Sequence, residues 1–170
     1  MKHVSFLTLF FVCTLTGTVT DVWSHPDESL ILYLSFDELS GRTLKDHSEY
    51  KNNGELVGKP MLVEGKFGKA LKFNGRSDWV EIPHDDSLTV DKSVTVMAWI
   101  KTPRHGGPNG ALWQSIVAKG NNPRSYSFYT DIESGGVHLS ISYFIGGHSH
   151  RNIALNRWQH VAAQVDNQTQ

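Results

Sequence analysis

The sequence predicts an all-β, antiparallel sandwich, and three observations carry that expectation. Two short alternating runs, Ala70-Leu71-Lys72-Phe73 and Trp79-Val80-Glu81-Ile82, flank a polar turn, Asn74-Gly75-Arg76-Ser77-Asp78. A longer run, Ser93 to Lys101, puts Val94, Val96, Ala98 and Ile100 on one side and Thr95, Met97, Trp99 and Lys101 on the other. No stretch keeps a three-to-four-residue apolar period for more than two turns, so helix has no support. Period-two alternation suits a half-buried strand, because successive side chains leave opposite faces of the pleat.

In chain order, Leu30 to Phe36 is an apolar strand ending at Asp37-Glu38. Thr43 to Asp46 leads into His47-Ser48-Glu49-Tyr50-Lys51-Asn52-Asn53-Gly54, a polar loop with fixed local turns. Glu55-Leu56-Val57 and Met61-Leu62-Val63 are short strands about Gly58-Lys59-Pro60. The two runs about Asn74-Gly75 then form a hairpin-like corner, with Gly75 able to take positive φ and Pro83 ending the second strand. Asp85 to Leu88 is a loop or single helical turn, and the Gly/Pro/Asn-rich segment 102–110 is a flexible loop. Gln114 to Lys119, Ser125 to Thr130, Val137 to Ile145 and Trp158 to Asp166 complete about nine or ten strands, a sandwich by spacing.

The chain has 170 residues and a net charge of −1. Near-neutrality with mixed signs offers no electrostatic case for nucleic acid or an anionic membrane. Residues 1–24 read as a secretory signal peptide. Lys2 and His3 precede an apolar run from Val4 to Leu15, too short to span a bilayer. Val22 and Ser24 fit a small-residue cleavage rule, placing the cut after Ser24; cleavage after Thr20 and an uncleaved anchor are the alternatives. Residues 25–29 then form a linker and 30–170 one domain, secreted or at the cell surface, with no membrane insertion after cleavage. The single cysteine, Cys13, lies inside the signal, so the mature chain offers no disulfide, zinc–cysteine site or cysteine nucleophile.

Several segments resemble one family. They are Leu34-Ser35-Phe36-Asp37-Glu38, Asp46-His47-Ser48 with Asn53-Gly54, Gly65 to Gly75, Val80-Glu81-Ile82-Pro83, Val94 to Lys101, Ile116 to Gly120, and Trp158-Gln159-His160-Val161-Ala162. Together they resemble a laminin-G-like domain of the concanavalin A-like lectin/glucanase superfamily, of bacterial secreted type. The resemblance implies a jelly-roll β-sandwich that binds carbohydrate or extracellular protein, often with calcium. Family domains continue past the Trp-x-His-Val strand, whereas this sequence stops at Gln170. The strand from Trp158 is therefore expected to lack its hairpin partner, as in the front part of a domain, with an open edge.

The resemblance also implies a structural calcium near the 46–54 loop, which offers Asp46, Asn52 and Asn53 close behind Asp37. Calcium needs six to eight oxygens on a bent loop; the alternative is a solvated loop held by Asx turns. Sugar sites stack a ring on an open aromatic and hold its hydroxyls with amides or charges. Trp113, Asn121, Asn122 and Tyr126 are the candidates, and Trp79 joins them if its face is open, while Trp99 and Trp158 are expected in the core. His148-Ser149-His150 puts two imidazoles on one side of an extended segment, a weak transition-metal signal. A retaining glycosidase needs paired carboxylates. The nearest run, Asp131-Ile132-Glu133, lacks one, since Tyr129 and Ser134 occupy the flanking positions. A non-catalytic binding module is expected, acting alone or as the accessory domain of a larger secreted enzyme; a glycoside hydrolase of the same superfold is the remaining alternative and would need a paired-carboxylate strand downstream. Asn167-Gln168-Thr169 fits a glycosylation acceptor, relevant only in a eukaryotic secretory host.

Overall fold

Alternation in the sequence becomes strand wherever turn residues bound it. The computed structural model describes residues 2–5, 28–90, 93–120, 125–141, 145–149 and 151–166. In chain order the strands are β1 (Lys2–Ser5), β2 (Leu34–Ser40), β3 (Thr43–Asp46), β4 (Gly54–Val57), β5 (Met61–Glu64) and β6 (Lys69–Phe73). They continue with β7 (Trp79–Glu81), β8 (Ser93–Ile100), β9 (Trp113–Lys119), β10 (Tyr126–Asp131), β11 (Val137–Ile141), β12 (Ile145–His148) and β13 (Gln159–Asp166). Two short 3-10 turns, Asp86–Leu88 and Pro108–Gly110, interrupt the series. The first is capped by Asp85, whose side chain accepts the Ser87 N–H.

One sheet runs β13-β8-β1-β6-β5; the others run β2-β3-β4-β7 and β12-β11-β10-β9. Every described ladder is antiparallel. Strand β2 meets β6 and β11 meets β13 across the layers, so both four-stranded sheets face the five-stranded one. Their inner faces share one core: Leu34, Leu44 and Leu56 from the first, Phe128, Leu139 and Ile141 from the second, and Leu71, Val96 and Ile100 opposite. Strand β8 keeps the alternation seen in its sequence, with Val94, Val96, Ala98 and Ile100 buried. Among the described residues, β13 is an edge strand paired only with β8.

Three expectations are revised by the tertiary structure. The runs about Asn74-Gly75 do not pair as a hairpin: β6 pairs with β5 and β1, whereas β7 pairs with β4 in the other layer. The corner is nonetheless tightly built. Gly75 has φ 77°, Asn74 Oδ1 accepts the Arg76 and Ser77 N–H groups, and buried Asp78 accepts those of Lys59 and Asn74. Residues 137–145, read as one strand, divide between β11 and β12. Trp99 lies on the outer face of β8, half-buried, with its ring 5.6 Å from Phe67 and 5.5 Å from His160. Alternation puts it opposite the core-facing Ala98 and Ile100, and Trp158 is likewise only half-buried.

Residues 2–5, the start of the expected signal peptide, form the strand between β6 and β8. Lys2, His3 and Val4 oppose Phe73, Lys72 and Leu71, and Val4 and Ser5 oppose Ile100 and Trp99. No helix among the described residues is long and apolar enough to cross a membrane.

Candidate functional site

The outer face of the β9–β12 sheet gathers chemistry that the sequence scatters over 36 positions. Register does the gathering: Trp113 lies opposite Asp131, Tyr129 opposite His138, and His138 opposite His148. Directly opposed residues on one face bring their Cβ atoms within about 5 Å. His138 Nδ1 is 3.1 Å from His148 Nε2, and His148 Nδ1 is 3.3 Å from Asp131 Oδ2. The Trp113 ring leans on this group, with centroids 5.4 Å from His138, 5.9 Å from Tyr129 and 6.1 Å from His148. Trp113 is nevertheless 42% exposed.

Asp131 is only 2% exposed, and the following turn explains how a carboxylate is tolerated there. Its oxygens accept the N–H groups of Glu133 at 2.9 Å and Ser134 at 3.4 Å. The chain then reverses through Gly135 at φ 64°, and the Asp131 N–H closes onto the Gly136 carbonyl. Burial alone raises a carboxyl pKa, but these donors and the neighbouring His148 outweigh it and hold Asp131 below its usual value. His138 is also held below its usual value, mainly by desolvation, with His148 acting in the same direction and Asp131 against it.

The expected sugar-binding residues do not converge. Trp113 pairs at one end of the β9–β10 hairpin and Tyr126 at the other, opposite Lys119, about 17 Å along the strand at the usual rise. They also face opposite ways: Tyr126 is 6% exposed and belongs to the core, where desolvation raises its pKa. Asn121 and Asn122 lie outside the described residues, as does His150. Sequence reasoning missed His138 and Tyr129, which become neighbours of Trp113 only through the pairing of β9, β10, β11 and β12.

The expected calcium residues are close in sequence but already committed. Asp46 is fully buried. Its Oδ1 accepts the N–H groups of Tyr33 at 2.7 Å and Ser48 at 2.9 Å. Its Oδ2 accepts the Ser48 hydroxyl at 2.6 Å and the Asn52 N–H at 2.7 Å. Four donors fill the roughly four acceptor positions of a carboxylate. Asn53 Oδ1 takes the Asp46 N–H, and the Asn52 amide donates to Ile31 O and Ser87 Oγ. Asp37 turns to another layer, where its Oδ1 accepts the Lys69 N–H at 2.7 Å. As arranged, these four side chains do not offer calcium a shared cage. Among the described residues, no three His, Cys, Asp or Glu side chains are gathered as a metal cluster.

A second feature is a cavity of about 720 Å³ between β7 and β9, the edge strands of the two four-stranded sheets. Leu34, Phe73, Val80, Ile116 and Tyr126 line it. Trp79, 49% exposed, stands among the lining residues, and Lys119 Nζ approaches His84 Nδ1 to 3.2 Å there.

A family model, Laminin_G_3, described as the concanavalin A-like lectin/glucanases superfamily, matches residues 74–170, more than half of the chain. No curated protein and no solved structure matches the chain. The matched span begins at the Asn74 corner and runs through β13, carrying the whole β9–β12 sheet. By that match, and by its layered antiparallel sheets, the chain belongs to the concanavalin A-like lectin/glucanases superfamily as a laminin-G-like domain.

Proposed function

We propose that this protein is a non-catalytic carbohydrate-binding module whose contact surface is centred on Trp113, acting outside the cell. Domains of this family commonly bind carbohydrate or protein. The observation that carries the choice is a solvent-exposed tryptophan bordered by hydrogen-bonding groups: Trp113 at 42% exposure, with His138 and His148 against its ring. A sugar ring stacks its C–H face on the indole while imidazole nitrogens meet its hydroxyls. Asp131 is engaged by its own turn and Glu133 is exposed, which favours binding over glycoside hydrolysis.

The test is glycan-array screening of the full chain, followed by titration of the best glycan against Trp113→Ala and Trp79→Ala. Trp113→Ala is expected to weaken binding about tenfold or more, a loss of about 1.4 kcal/mol, with Trp79→Ala unchanged. Unchanged affinity in Trp113→Ala overturns the reading. A loss confined to Trp79→Ala moves the site to the β7–β9 cavity. That cavity favours a second reading, an extended polypeptide ligand. Two sheet edges bordering one apolar cavity suit the addition of a strand, with backbone hydrogen bonds supplying affinity.

A further inference from the structure

We propose that His138 and His148 form a binding site for a transition-metal cation of the Zn²⁺, Ni²⁺ or Cu²⁺ class, with Asp131 orienting His148 from behind. The two imidazoles come from opposed positions of β11 and β12. The facing nitrogens, His138 Nδ1 and His148 Nε2, are 3.1 Å apart. Two nitrogens bound to one tetrahedral zinc at about 2.0–2.1 Å stand about 3.3–3.4 Å from each other. The pair therefore already holds close to the separation a shared cation requires; the proton that the two facing nitrogens share moves away as a cation binds, with His138 taking the Nε2–H tautomer so that its Nδ1 lone pair joins that of His148 Nε2.

The Asp131 carboxylate makes this more than two neighbouring histidines. Its Oδ2 lies 3.3 Å from His148 Nδ1, the ring nitrogen that does not face His138. A carboxylate at this distance favours the proton on Nδ1, so that Nε2 presents its lone pair to a metal. Asp131 is itself held by the Glu133 and Ser134 N–H groups and is almost fully buried, which restrains its position. Imidazole ligands suit zinc, nickel and copper rather than calcium or magnesium. Two protein nitrogens leave the remaining coordination positions to water or to a ligand donor. His148 is exposed, so a cation has a route in. The site differs from the sequence motif His148-Ser149-His150: the partner of His148 is across the ladder, ten residues earlier.

The site shares its imidazoles with the sugar surface proposed above but does not require sugar recognition, and its test contains no sugar. The full chain, without a polyhistidine tag, is titrated with NiCl₂ and ZnCl₂ by calorimetry, alongside His138→Gln, His148→Gln, Asp131→Asn and His150→Gln. Circular dichroism and thermal melts check that each variant is folded. His138→Gln and His148→Gln are each expected to raise the dissociation constant at least tenfold. Asp131→Asn is expected to raise it about tenfold or more, and His150→Gln to leave it within twofold. A second readout is quenching of tryptophan fluorescence by CuCl₂, expected to shrink in Trp113→Phe because that indole is within about 6 Å of both rings. Equal affinity in His138→Gln and the native chain overturns the proposal, as does a tenfold loss in His150→Gln with His138→Gln unaffected.

Discussion

Asp46 Oδ2 accepts the backbone N–H of Asn52 at 2.7 Å, and this bond closes the loop after β3 around a buried carboxylate. The same side chain also holds the N–H groups of Tyr33 and Ser48 and the Ser48 hydroxyl. One residue thus ties the entry to β2 to the 46–54 loop. Asp46→Ala strips three buried or part-buried N–H groups of their acceptor at once. Each orphaned donor costs about 1–3 kcal/mol, so a loss on the order of 3–5 kcal/mol is expected in urea unfolding. A loss under 1 kcal/mol would show that water replaces the carboxylate.

Calcium is expected to leave the melting midpoint unshifted, because both Asp46 oxygens are occupied by the protein itself. The check is a thermal melt in excess CaCl₂ against chelator. A cation at a hundred times its dissociation constant adds about 2.7 kcal/mol, so a bound calcium would raise the midpoint by several degrees.

Strand β1 makes the amino terminus a stability element in this structure. Removing residues 1–24 leaves β6 and β8 without the strand between them, and unpaired edges invite association. The chain 25–170 is therefore expected to melt below the full chain and to self-associate, read by calorimetry and light scattering. Equal midpoints and a monomeric 25–170 would show that the rest of the sandwich is self-sufficient. N-terminal sequencing of the protein recovered from its native host would establish whether residues 1–24 are retained.

Gly68 has φ 53°, and a Cβ there would lie 2.2 Å from Asp37 Oδ1. Gly68→Ala is expected to cost about 1–3 kcal/mol through backbone strain and this contact. In the Asp37→Gly background the contact part of the cost should disappear while the φ part persists. A double-mutant cycle reads the difference directly; strict additivity would place the whole cost in the backbone.

Asp85 caps the Asp86–Leu88 turn, and the Ser87 hydroxyl and N–H hold its pKa below the ordinary carboxylate value. A depressed folded-state pKa means that the stabilisation is present above about 3.9, the unfolded value, and fades as pH falls through the lower folded one. Asp85→Asn is expected to flatten this part of the acid limb in melts between pH 5 and pH 2. An acid limb identical to that of the native chain would assign the dependence to other carboxylates.

Much of the sandwich was legible in residue order because strand alternation is local. Val94 to Ile100 announced its inner face, and Asn74-Gly75 announced a turn. Neither could say which layer the next strand would join, so a corner between sheets read as a hairpin. Trp99 shows the same limit: its size suggested the core, but its parity on β8 sends it outward. The site was less legible. Trp113 stood out as an aromatic beside a loop, but Tyr126, assigned to the same surface, points into the core from the far end of the hairpin.

The sequence alone determined the class of structure, most of the strands and the family, because turn residues and period-two patterning act over a few neighbours. Only the tertiary structure decided that Trp113, Asp131, His138 and His148 form one group. Their meeting depends on the register of three ladders, and a single-residue slip in any of them would send a side chain to the opposite face.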